Sequence, residues 1–149
     1  MSDKKISLYD YWRSSCAYRV RVALEFKNIP FEKIPIDLRI GQQSSPEYLA
    51  LNPQGLVPLL RHGDVEITQS LAIIQYLEDE FANAPRLIPA DAVTKARVLQ
   101  ISYMIACDIH PIQNLKILKK VGDDRKATWA KEIITEGFVG EPLQIFQTT

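Results

Sequence analysis

Cysteine is scarce in this chain, which has only two, Cys16 and Cys107. Two thiols that far apart build neither a disulfide framework nor a zinc site, and no metal is expected. An excess of charge of one sign is also lacking: 18 Lys+Arg stand against 18 Asp+Glu. That balance gives no electrostatic reason to expect nucleic acid or an acidic lipid surface as a partner. The densest basic stretch, Lys116, Lys119, Lys120, Arg125 and Lys126, is interrupted by Asp123 and Asp124 and reads as a solvated helix face. No apolar run approaches the length of a membrane span, and no apolar signal core follows Met1-Ser2-Asp3-Lys4-Lys5. The expectation is a cytoplasmic protein in a reducing compartment, with no membrane partner. Internal repeats and low-complexity tracts are missing too. With 46% apolar residues, a packed core is within reach and wholesale disorder is not.

The order of elements begins with strand, loop, helix, strand. Ile6 to Tyr9 is a short apolar run. After Trp12-Arg13-Ser14-Ser15, the residues Val20, Ala23, Leu24 and Lys27 recur at helical spacing. Ser14 or Ser15 can cap that helix, and Asn28 before Pro30 can stop it in a left-handed turn. Phe31 to Ile36 reads as a second strand.

Gly41-Gln42-Gln43 is a turn, and Ser44 and Glu47 stand at capping-box spacing with Pro46 between them, so a short helix is expected there. Asn52-Pro53-Gln54-Gly55 breaks it. Val57 to Leu60 and Val65 to Thr68 read as strands joined by a tight turn over Arg61-His62-Gly63-Asp64. A helix from about Ser70 to Phe81 follows.

Residues 83–90, with Pro85 and Pro89, read as a linker between residues 1–82 and residues 91–149. Beyond it the strands stop. Asp91 can cap a long helix that carries apolar residues as far as Leu118 and is kinked by Pro111. Gly122 and Asp123 mark a break and a new cap. Trp129, Ile133 and Ile134 begin another helix, which Gly137, Gly140 and Pro142 weaken. The order β-α-β-α-β-β-α followed by helices alone fits an α/β thioredoxin-like domain joined to part of an all-α domain.

Three places could do chemistry. Ser14-Ser15-Cys16 sits where a strand hands over to a helix, and a helix start with free N–H groups favours a sulfur anion. From the local pattern alone, plain N-caps are the commoner use of such serines. Val57-Pro58 at a strand start could expose the Val57 backbone to an extended peptide if the bond is cis, although few X–Pro bonds are. Gln69-Ser70 opens another helix, where a carboxylate could sit on N–H groups and a hydroxyl, or where Ser70 is only a cap. A thiolate site, a peptide-backbone site and a carboxylate site in that order suit a peptide with one thiol and free carboxylates. That combination is more specific than any one of its members.

Ser14-Ser15-Cys16-x-x-Arg19-Val20-Arg21-x-Ala23-Leu24 resembles the signature of the zeta-class glutathione transferases of the maleylacetoacetate isomerase type. Leu51-Asn52-Pro53-x-Gly55-x-Val57-Pro58 and Gln69-Ser70-Leu71-Ala72-Ile73-Ile74-x-Tyr76-Leu77-Glu78 are similar to the next two blocks of that family. Pro85-Arg86-Leu87 and Pro111-Ile112-Gln113-Asn114-Leu115 continue the likeness.

The resemblance implies a site for glutathione. Ser14 would stabilise the thiolate, with Ser15 and Cys16 lining the same pocket and Cys16 supporting rather than attacking. Gln43 would reach the glycyl end. Val57, beside a cis Pro58, would pair with the cysteinyl backbone. Gln69 and Ser70 would hold the γ-glutamyl carboxylate. His110, where the family commonly has Gln, and Asn114 on the same helix would face the pocket from the second domain. Arg13 and Arg19 are the nearest cations for an acidic substrate, and Arg19 fits a structural pair on its helix equally well. A resolving Cys three residues from Cys16 is lacking, because Arg19 stands there.

The implied reaction is glutathione-dependent cis–trans isomerisation of maleylacetoacetate to fumarylacetoacetate, by a homodimer. Family members continue through several more helices past the point matched by Thr149, and the segment after Gly137 drifts from their pattern. The expectation is therefore a shortened or altered C-terminal end. It leaves two alternatives open, a glutathione-binding remnant with little turnover and a general transferase acting on small electrophiles such as haloacids.

Overall fold

In the computed structural model, residues 4–139 are described. The chain divides between Leu87 and Ile88 into two compact units. Gly140 and Pro142, expected to weaken the last helix, lie outside the described residues.

The first unit is built on a four-stranded sheet of order β2-β1-β3-β4. Its strands are β1 (Ile6–Asp10), β2 (Glu32–Pro35), β3 (Leu59–His62) and β4 (Val65–Thr68). β1 runs parallel to β2 and antiparallel to β3, and β3 pairs antiparallel with β4. The crossover between β1 and β2 is helix α1 (Ser15–Phe26). α2 (Pro46–Leu51) precedes β3, and α3 (Ser70–Glu80) follows β4. This is the thioredoxin-like arrangement that the element order implied.

The pleat sorts the core into two layers, because neighbouring residues of a strand face opposite sides. Leu8 and Leu60 join Val20, Ala23 and Leu24 of α1 and Ile73 and Leu77 of α3 on one side. Tyr9 and Leu59 join Ile36, Tyr48 and Val57 on the other. Pro35 lacks an N–H to give the ladder and is found on edge strand β2, where that loss is tolerated.

α1 ends as its sequence implies. Asn28 takes φ 53, and the N–H of Ile29 closes back on Leu24 at 2.9 Å. Lys27, which recurs with the apolar residues of that helix, is buried with them. Its ammonium donates to Glu78 Oε1 at 2.8 Å and to the Pro85 carbonyl at 3.1 Å. The same Glu78 oxygen accepts from the Leu87 N–H at 3.1 Å. One buried carboxylate thus ties the end of α1 to the last residues of the unit.

Several expectations shift. Ser45, not Ser44, caps α2, its Oγ accepting from Tyr48 N at 3.2 Å. Ser44 is used one step earlier, in a 3-10 turn over Gln42–Ser44. The third strand begins at Leu59 rather than Val57, because Pro58 has no N–H for the ladder; the Val57–Pro58 bond is cis.

In the second unit, α4 (Ala92–Tyr103) is capped by Asp91, whose carboxylate accepts from Val93 and Thr94 N–H groups. The long kinked helix expected there is instead broken into pieces. A π-helical stretch covers Met104–Ile109, with the His110 N–H reaching back to the Ile105 carbonyl. Pro111 then stops the run, and α5 (Leu115–Val121) restarts under Asn114. Proline has no N–H to give, and its ring blocks the carbonyl one turn back, so the run cannot continue as a helix. Asp123 is not the cap of α6 (Lys126–Gly137). It pairs with Lys126, and Arg125 holds the cap position. Gly137 is used for close approach: a Cβ there would lie 2.3 Å from Ile109 Cγ1.

Candidate functional site

The turn between β1 and α1 is held from beneath. Asp10, buried at the end of β1, takes the Arg21 guanidinium at 2.7–2.8 Å, and Arg21 Nη2 donates to the Trp12 carbonyl at 3.1 Å. The sequence reading used Arg21 only as part of a motif and missed this role. An acid at a strand end and an arginine 11 residues later were its only local signal.

Above that clamp, Ser14 is the N-cap of α1, and its Oγ accepts from Ala17 N at 3.2 Å. A hydroxyl has one proton to give and two lone pairs. The cap uses a lone pair, so the proton is left for an acceptor near the helix start. Ser15 is the exposed first residue of α1, and Cys16 follows, partly covered. Burial pushes the Cys16 thiol above its ordinary range, against the opposing pull of Arg19 and Ser70. Cys16 is therefore mostly a neutral thiol at neutral pH.

Arg19 reaches away from its own helix. Its Nη1 lies 3.2 Å from Ser70 Oγ and 3.9 Å from Cys16 Sγ. This guanidinium joins the start of α1 to the start of α3, across 51 residues of sequence. Arg13 instead stacks its guanidinium 5.6 Å from the centre of the exposed Trp12 ring.

At the start of α3, Gln69 takes φ 69, a region that residues other than glycine rarely enter, and its side chain does not cap the helix. It points instead toward Gln54, with Nε2 3.5 Å from Gln54 Oε1. The first N–H groups of α3 are thereby left to other acceptors beside the buried Ser70.

The loop that delivers Val57 is fixed from behind. Tyr48 Oη and Asn52 Nδ2 both donate to the Leu56 carbonyl, at 2.6 and 2.7 Å. Burial raises the Tyr48 phenol to about 12. Val57 is buried by its side chain, and among the described residues no backbone hydrogen bond engages its N–H or C=O. Gln43 lies in the 3-10 turn, and its Oε1 is buried with no partner among the described residues. Gly55 has φ 60, and a Cβ there would sit 2.9 Å from the Gln43 carbonyl oxygen, so the two loops touch through backbone.

The first unit thus brings Ser14, Cys16, Arg19 and Ser70 together, with Gln69 next to Ser70 and Val57 and Gln43 on loops fixed by Leu56 and Gly55. His110 and Asn114 belong to the second unit and do not share a helix. His110 closes the π-helical stretch, and the Asn114 side chain caps α5 by accepting from Lys116 N at 2.9 Å. Among the described residues there is no group of three His, Cys, Asp or Glu side chains able to hold a metal, and no helix is long and apolar enough to cross a membrane.

Residues 4–79 match the glutathione S-transferase N-terminal domain. The chain belongs to the glutathione S-transferase family. Within it, maleylacetoacetate isomerase of Mus musculus is 47% identical over 140 residues, covering 93% of this chain and 64% of that protein. Glutathione S-transferase 1 of Dianthus caryophyllus is 45% identical, covering 91% of this chain and 62% of that one. Among solved glutathione S-transferases, maleylacetoacetate isomerase of Methylobacterium extorquens AM1, determined with malonate and GSH bound, superposes with a TM-score of 0.82 at 36% identity, covering 88% of this chain and 64% of that one. A bacterial zeta-class maleyl pyruvate isomerase gives a TM-score of 0.84 at 38% identity, covering 89% and 65%. The chain spans a little under two thirds of the length of these glutathione S-transferases.

Proposed function

We propose that the protein is a glutathione-dependent maleylacetoacetate isomerase, converting maleylacetoacetate to fumarylacetoacetate in tyrosine and phenylalanine catabolism. The observation that carries the reading is the bridge from Arg19 to Ser70. It sets the start of α1 beside the start of α3, so one short ligand with a sulfur at one end and a carboxylate at the other can engage both.

The residues present fit glutathione. Ser14 has a hydroxyl proton to give to a sulfur anion at a helix start. Val57 offers a backbone N–H and C=O to an extended peptide. Ser70 and the first N–H groups of α3 suit the γ-glutamyl carboxylate, with Gln69 alongside. Gln43, whose side-chain amide carries two N–H donors, suits the glycyl end.

Bound glutathione supplies a sulfur nucleophile for reversible addition to the cis double bond. The protein's own part is to favour the anionic sulfur and to fix its direction. Ser14 does the first, with Ser15 and Cys16 lining the same turn. Arg13, on the exposed rim, is the cation that an acidic substrate meets there. We also propose a homodimer located in the cytoplasm.

The test is a spectrophotometric isomerisation assay of the purified protein with and without glutathione. Turnover that requires glutathione supports the reading. Turnover without glutathione overturns it. Retention on immobilised glutathione with conjugation of a haloacid, but no isomerisation, would replace it with a general transferase, a reading favoured by the similarity to a protein named Glutathione S-transferase 1. Light scattering at twice the chain mass tests the dimer.

A further inference from the structure

Arg19 sits where a substrate clamp could be sought, one turn along α1 from Ser14 and Cys16. Its guanidinium is turned inward instead, onto a hydroxyl 6% exposed at the start of another helix. An arginine can only donate, so Ser70 Oγ must be the acceptor in that bond. The Ser70 proton is thereby left for an acceptor of its own. The acceptors it can reach are the Cys16 sulfur, which shares a hydrogen bond with Ser70, and any carboxylate resting on the N–H groups of α3.

We propose that Arg19 is a positioning residue that acts through Ser70, committing the Ser70 hydroxyl to donate to the ligand's γ-glutamyl carboxylate and placing one positive charge between the carboxylate end and the sulfur end of the site. This rests on the glutathione reading above and goes further. It gives Arg19 a role in recognising the carboxyl end of the thiol peptide, not the acidic substrate. A lysine in its place would keep a charge but lose the planar guanidinium that fixes the direction of the donors toward Ser70 and Cys16. The contact also explains why α3 begins with a serine whose side chain is buried rather than solvated. A buried hydroxyl needs partners, and Arg19 is one of them.

The experiment is a double-mutant cycle on glutathione affinity, measured by calorimetry on the full chain for wild type, Arg19→Met, Ser70→Ala and the double variant. The same four proteins are titrated with cysteinylglycine, which lacks the γ-glutamyl group. Each single substitution is expected to weaken glutathione about tenfold, and the double variant to be no more than about twofold weaker than the worse single one, since coupled residues are not additive. Affinity for cysteinylglycine should change less than twofold. Arg19→Lys should recover only part of the loss.

Additive losses, or equal losses for the two peptides, overturn the proposal. If Arg19→Met does not fold, the comparison of Arg19→Lys with Ser70→Ala carries the same contrast between peptides. Failure of wild type to bind glutathione would sink the parent reading. Wild-type binding with an unaffected Arg19→Met variant would sink this inference alone.

Discussion

Arg21 Nη1 lies between the two carboxylate oxygens of Asp10, at 2.7 and 2.8 Å, directly beneath the turn that presents Ser14. Both side chains are mostly buried, so removing one leaves a charge without its partner. Arg21→Met should therefore lower unfolding free energy by about 3 kcal/mol, read from urea denaturation. Asp10→Asn, which keeps a shape able to accept from Arg21, should cost clearly less. An unchanged urea midpoint in Arg21→Met would show that the turn does not depend on this pair.

Tyr48 supports the loop before Val57, and its ionisation gives a pH test. Its phenol is raised from 10.0 to about 12 in the folded protein. A raised value means the neutral form is favoured by folding. The contribution is complete below the unfolded value and is lost as pH rises from there through about 12. Tyr48→Phe should remove that part of the alkaline fall in stability. At neutral pH it should cost about 1 kcal/mol, because the Leu56 carbonyl keeps its bond from Asn52. Thermal melts across pH 8 to about 11 compare the two proteins.

Gly55 is the contact between the Val57 loop and the Gln43 turn. Gly55→Ala places a methyl against the Gln43 carbonyl and puts a side chain at positive φ. The expected cost is at least about 1–2 kcal/mol from the backbone alone. Glutathione affinity should fall with it, since both loops shift. A variant with wild-type stability and affinity would mean that the loops yield freely.

Ser14→Ala separates the cap from the chemistry. Loss of the cap should cost about 1 kcal/mol, visible in a melt. Loss of the hydroxyl proposed to donate to the sulfur should cut glutathione-dependent turnover about a hundredfold, in line with the removal of one donor to a developing anion. A turnover loss no larger than the stability loss accounts for would leave Ser14 a cap only.

Cys16 should behave as a supporting thiol. Because burial raises it, alkylation at Cys16 by iodoacetamide, followed by mass spectrometry to distinguish it from exposed Cys107, should be slow at pH 7 and rise as pH passes the ordinary thiol range. Arg19→Met should slow it further at any fixed pH below that range, since Arg19 favours the thiolate. Cys16→Ser should retain turnover within about tenfold, since the proposed mechanism draws its nucleophile from the bound peptide. Fast alkylation at neutral pH would contradict the burial.

What could be read from sequence were features settled within a few residues. The cap at Ser14 or Ser15, which is Ser14 in the fold, the left-handed stop at Asn28, the strand Val65–Thr68 and the cap at Asp91 each depend on local backbone chemistry. The choice between Ser44 and Ser45 as a cap was not legible, because it turned on a 3-10 turn that uses the first of them. The long helix after Asp91 misled for a related reason. Its apolar spacing continued past Pro111, but the backbone could not.

By itself the sequence determined the order of strands and helices through residue 82 and the family, because spacing, caps and motif residues act locally and survive without knowledge of the fold. Tertiary structure alone decided that Lys27 is buried on Glu78 and that Arg19 turns from its own helix to Ser70. Each partner lies 51 residues away. No local rule ranks one distant hydroxyl or carboxylate above another until the sheet and the packing of α1 against α3 bring the helix ends together.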